Sequence, residues 1–87
     1  MGVLITYDVP DSHTELKKRM IAKGYFKTVA GSNGIVCHLP NTTLYRNIND
    51  PAQSIRDLDD CAAGLVAIER AVATTMESWS GKQGIPL

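Results

Sequence analysis

The chain has 87 residues, 44% of them apolar, and nine basic residues balance nine acidic ones for a formal charge of zero. That length supports one domain with a small core, and the composition excludes a disordered chain. The balanced charge removes any bulk electrostatic argument for nucleic acid, so a phosphate-binding surface has to be local.

The chain opens on a strand. Val3, Ile5 and Tyr7 share one of its faces, and Leu4, Thr6 and Asp8 share the other. Apolar residues on both faces predict a central position in a sheet, and Pro10, which lacks a ladder donor, ends the strand. Ser12 and Glu15 have the spacing of a capping box, so a helix is expected over residues 12–23. Leu16, Met20 and Ile21 form its apolar stripe, and Gly24 can take the left-handed conformation that stops it. A second strand is expected over residues 25–30 and a returning one over 34–39. The "GSNG" between them is a hairpin signal, because Asn33-Gly34 tolerates positive φ. The segment "PNTTLYRNIND" reads as a loop with a short strand around residues 43–46.

Asp50 caps a second helix and Pro51 takes its first position. Ile55, Leu58, Ala62 and Leu65 repeat at helical spacing, and Gly64 is the expected terminator. The next stretch, "VAIERAVATTM", suits two structures. Leu65, Ile68, Val72 and Met76 fit a helix, whereas Val72, Thr74 and Thr75 favour a strand. Three strands and two helices leave one sheet position open, so a strand near residues 68–76 is expected. The resulting order is that of a ferredoxin-like α+β sandwich, a β-α-β-β-α-β chain with a four-stranded antiparallel sheet and two helices on one face. It forms a single domain over residues 1–87, with a tail from about 77 that is loose or docked on a partner chain. The uncovered sheet face predicts a homodimer through that face.

Asp8 is the most informative candidate site residue. It either ends the strand and accepts hydrogen bonds from the turn of residues 10–12, or it holds a hard cation such as magnesium opposite the same residue of a second copy. A cation there would polarise a phosphodiester. Lys17, Lys18, Arg19, Lys23 and Lys27 fall within eleven residues. This basic cluster has two readings, a solvated face or a set of nucleic-acid phosphate contacts, the latter through Lys17, Lys18, Arg19 and Lys23. Cys37 and His38 are adjacent on a strand and point to opposite faces, and no zinc spacing occurs, so Cys37 and Cys61 read as small core residues. Ser32 lies in a turn rather than a nucleophile elbow. Tyr45 and Trp79 suit packing better than base stacking. No apolar run approaches the roughly 20 residues of a membrane helix, and with two cysteines and no secretory signal a cytoplasmic protein with reduced thiols is expected.

With "VLITYDV" followed by a basic helix and "KGYFKTV", the chain resembles the CRISPR-associated protein two family, small ferredoxin-like proteins related to the toxin VapD. The resemblance is carried by the first 30 or so residues and by element order. It implies a homodimer formed through sheet faces. It also implies that Asp8 matches the first-strand Asp which binds a divalent metal in family members that are nucleases. The family's basic residue in the first helix falls on Lys17, Lys18 or Arg19. Beyond the second strand the chain departs from the family, with "VAGSNGIVCHLPNTTLYR" in place of a Gln-x-Ser-Val-Phe-like stretch. Two functions follow as expectations. One is a nucleic-acid-associated protein, a magnesium-dependent endonuclease if Asp8 is catalytic. The other is a non-catalytic dimeric interaction module.

Overall fold

A computed structural model describes residues 2–31, 34 and 36–77. The elements are β1 Gly2–Asp8, α1 His13–Ala22, β2 Thr28–Ala30, β3 Val36–His38, β4 Thr43–Arg46, α2 Pro51–Ala62 and β5 Arg70–Met76. Two helices and antiparallel sheets make a small α+β fold. The expected centre of the hairpin at Ser32 and Asn33 and the tail with Trp79 lie outside the described residues.

β1 is central, as its two-sided apolar pattern predicts. It pairs antiparallel with β4 on one side and with β5 on the other. Val3, Ile5 and Tyr7 are buried, and Ile5, Tyr7 and Val9 belong to the core shared with both helices. Leu16 and Met20 of α1, Leu44 of β4, and Leu58, Cys61 and Ala62 of α2 close this core. Ile21 is an exception to the predicted stripe and is exposed.

The ambiguous segment is a strand, β5. It alternates Ala71 and Ala73, packed against the core, with exposed Val72 and Thr74. A strand there covers β1 along its whole length.

The sheet differs from the predicted four strands. Three strands pair in the order β4-β1-β5, and β2 and β3 form a separate two-stranded ladder. The strand beside β1 is the short 43–46 segment, while the 34–39 segment returns only against β2 as the hairpin predicts. Burial explains the choice. Leu44 lies opposite Ile5 and is fully buried, whereas Val36 of β3 is exposed. The hydrophobic pattern sets the pairing. One bridge links the two ladders: Phe26 and Tyr45 exchange backbone hydrogen bonds of 2.7 and 2.9 Å.

The two helix starts also differ. Asp50 accepts from the Ala52 amide at 3.0 Å, the predicted cap, with Pro51 behind it. At α1 the capping box does not form. Ser12 sits at φ 61, left-handed, and its hydroxyl donates to Asp11 at 2.8 Å. The backbone turn carries the hydroxyl away from the helix amides, and Glu15 pairs with Arg19 instead. Gly24 and Gly64 take positive φ just beyond the helices, as predicted.

Candidate functional site

The face of the sheet away from the helices is built by register. Phe26, Tyr45, Leu4 and Thr74 lie in one row across it, and Thr43, Thr6 and Val72 lie in the next. Phe26 is 58% exposed and Val72 63%. The Tyr45 ring lies over Gly2, where any Cβ would collide with it. A hydroxyl pair, Thr43 to Thr6 at 3.2 Å, joins β4 and β1 in the second row.

The third row is Asp8 opposite Arg70. The Arg70 Nε donates to Asp8 Oδ2 at 2.9 Å, and both side chains are open to solvent. Asp8 and Arg70 border an open cleft of about 190 Å³ with Thr6, Tyr7, Ala71 and Val72. The strand-end carboxylate is therefore held by a cross-strand cation, and its carbonyl accepts from Glu69 at 2.8 Å. Asp8 gives one carboxylate to this cleft, and among the described residues no three His, Cys, Asp or Glu side chains gather as a metal site. A magnesium ion keeps most of its waters and takes one or two carboxylates, so a second carboxylate would have to come from another copy.

The predicted basic cluster divides. Lys17 and Lys18 line a second cleft, of about 250 Å³, together with His13, Thr14, Ile21, Lys27 and Asn41. Lys17 donates to Asn41 at 2.7 Å across its mouth. Arg19 and Lys23 turn the other way. Arg19 donates to the Cys61 carbonyl near the end of α2 at 3.0 Å, and Lys23 pairs with Asp60 at 3.5 Å. The two tie α1 to α2. Lys27 belongs to the same run of cations in the sequence, whereas Asn41 escaped the sequence reading because it joins the cleft only through the fold. Arg70 escaped it because nothing local links a β5 arginine to Asp8.

A third group lies beneath Arg46. This β4 residue faces the helices and donates to Asp57 at 2.9 Å. The buried Asp57 carboxylate also accepts from Gln53 and from the Tyr25 hydroxyl, each at 2.8 Å. Tyr25 Oη is also 2.8 Å from Ser54 Oγ. The carboxylate can only accept, so the Tyr25 proton goes to it and the Ser54 hydroxyl donates to Tyr25. Burial alone would push Asp57 up, but the bonds from Gln53 and Tyr25 and the Arg46 charge outweigh it and hold the carboxyl below its ordinary range. Burial pushes Tyr25 up, as it does Tyr7 and the Cys61 thiol. With every buried side-chain polar atom among the described residues satisfied, this network joins the sheet to α2 structurally. Cys61 is core as predicted, while Cys37 is half-buried on β3.

In sequence comparisons, no family model and no curated protein matches the chain. Among the described residues no helix is long and apolar enough to cross a membrane.

Proposed function

We propose that the chain is a ferredoxin-like interaction module that works as a homodimer across its open sheet face, with nucleic acid as its partner. The fold reading follows from Phe26. Taken as the start of β2, it extends the sheet to β5-β1-β4-β2, the strand order of the ferredoxin-like sandwich. The observation that carries the dimer is the exposure of Phe26 and Val72, with Leu4 between them, on the face opposite the helices. Large apolar side chains gathered on one sheet face favour a cover, and a two-fold axis gives each copy the other's patch. Sedimentation equilibrium at micromolar concentration tests it. A dimer that dissociates in the Phe26→Glu, Val72→Glu double variant is expected, and a wild-type monomer overturns it.

A nuclease is the second reading, favoured by the half-exposed Asp8 at the end of the same face. It requires Asp8 to exchange Arg70 for a cation shared with a second copy. Magnesium-dependent cleavage of labelled RNA or DNA that disappears in Asp8→Asn would establish it. No cleavage by wild type with magnesium leaves the non-catalytic module.

A further inference from the structure

The chain is electrically neutral, yet its cations are not evenly compensated. Among the described residues, Arg19, Lys23, Arg46, Arg56 and Arg70 each pair with a carboxylate. The described lysines that pair with none are Lys17, Lys18 and Lys27, and all three line the one cleft of about 250 Å³ beside α1. Among the described residues no carboxylate contributes to its walls; the other polar groups there are His13, Thr14 and Asn41. Three ammonium groups around one concavity create a local positive potential that the balanced total conceals.

Size and charge narrow the ligand. The cleft is smaller than the roughly 300–1,000 Å³ of pockets that bury drug-sized molecules, so it suits a small anionic group. A phosphate monoester carries nearly two negative charges at neutral pH, and an internal phosphodiester carries one. The three lysines match the dianion. A running backbone would need the charge to continue along α1, but Arg19 and Lys23 are committed to Cys61 and Asp60. Ile21, exposed at the cleft wall, offers an apolar surface to the sugar that carries the phosphate.

We infer that the cleft formed by Lys17, Lys18, Lys27 and Asn41 is a recognition site for a terminal phosphate monoester of a nucleotide, and not for the internal nucleic-acid backbone. This rests on the nucleic-acid reading of the partner and sharpens it to the end of a strand. A free mononucleotide carries the same group.

Fluorescence anisotropy with one short single-stranded oligonucleotide, carrying either a 5′-phosphate or a 5′-hydroxyl, tests the site. AMP and adenosine serve as competitors. The phosphorylated strand is expected to bind about tenfold or more tighter, the worth of added charge-assisted hydrogen bonds. Lys18→Gln and Lys27→Gln should each erode that difference, and the double variant should abolish it. Arg56→Gln, which alters an exposed arginine on α2, should leave it intact. The lysines of both variants lie at the surface, and circular dichroism melts confirm their folding. Competition by AMP but not adenosine shows that the mononucleotide suffices; phosphate preference without AMP competition assigns the site to strand ends. Equal binding of both strands overturns the cleft while keeping nucleic-acid association. Binding of AMP, followed directly by isothermal titration calorimetry, without binding of either strand overturns that association while keeping the cleft. A phosphate preference that survives the double variant, or no binding of any probe at millimolar concentration, overturns the inference.

Discussion

Two aspartate–arginine pairs in this molecule have the same 2.9 Å separation and different surroundings. In Asp57–Arg46 the carboxylate side chain is 3% exposed and the guanidinium 31%. In Asp8–Arg70 the figures are 51% and 78%. Gln53 and Tyr25 add donors to the first carboxylate, and the Arg46 guanidinium lies 5.5 Å above the Tyr25 ring. The second is bathed in water and open to ions. Equal distances therefore do not mean equal roles. The buried pair depends on every partner to offset desolvation, whereas the exposed pair is cheap to break and remake. The first joins β4 to α2; the second leaves the end of β1 free to exchange partners.

Breaking the buried pair should have the largest effect. Asp57→Asn keeps the shape but leaves Arg46 without its counter-charge. Removing one partner of a buried pair typically costs about 3–5 kcal/mol, and the partial exposure of Arg46 places this variant near the lower end. Denaturant unfolding measures it, and a loss below about 1 kcal/mol would show that water compensates Arg46. Tyr25→Phe should cost less, about 1–3 kcal/mol, because it removes one donor to Asp57 and strands the Ser54 hydroxyl. Ser54→Ala in the Tyr25→Phe background should recover part of that loss, since no orphaned polar group then remains.

The same contrast should appear in pH. Asp57 is held below its ordinary 3.8 in the folded protein. A lowered carboxyl adds stability that is complete above the unfolded value and is lost as pH falls through the folded one. Wild type should therefore lose stability steeply in the range below about pH 4, and Asp57→Asn, weaker at neutral pH, should lose less there. Tyr25, raised above 10.0, acts at the other limb. Its contribution is complete below pH 10.0 and declines as pH rises further, and Tyr25→Phe should flatten that decline. Thermal melts across both limbs read the two groups separately.

What the sequence made legible follows the reach of its signals. β1, α2 and its Asp50–Pro51 start, and the turn glycines Gly24 and Gly64 are set by neighbours a few residues apart. β5 was legible only by counting vacancies in a fold, since Val72 fits a helical period with Met76 and a strand with Thr74 and Thr75. The strand next to β1 is not legible from element order, because 34–39 and 43–46 both read as short strands and Leu44 takes the buried position opposite Ile5. The capping box failed because spacing does not encode the left-handed turn at Ser12. At the candidate sites, Asp8, Lys17 and Lys18 were found by type and place. Lys27 belongs to the same basic run, whereas their companions Arg70 and Asn41 are brought in by the fold over long separations. The division of the basic cluster was hidden too, since it depends on where α2 ends.

The smallest stability change is expected at Asp8, where it is also the most discriminating. Asp8→Asn leaves the strand ladder and the Glu69 bond to the Asp8 carbonyl untouched. It removes only the exposed pair with Arg70, worth about 0–1 kcal/mol at low salt. That cost should shrink further at 1 M salt, where screening acts within about 3 Å. A loss well above 1 kcal/mol, insensitive to salt, would show that Asp8 serves donors other than Arg70. Magnesium then separates structure from chemistry. If two copies hold a cation through Asp8, magnesium should raise the wild-type melting temperature, because a ligand of the folded dimer stabilises it by mass action. Asp8→Asn should not respond, while Arg70→Gln, which frees the carboxylate from its competitor, should respond at lower magnesium concentration than wild type. A wild type and an Arg70→Gln variant that both ignore magnesium would confine Asp8 to its partner on β5, and the end of β1 would then be a cross-strand clasp at the border of the open sheet face.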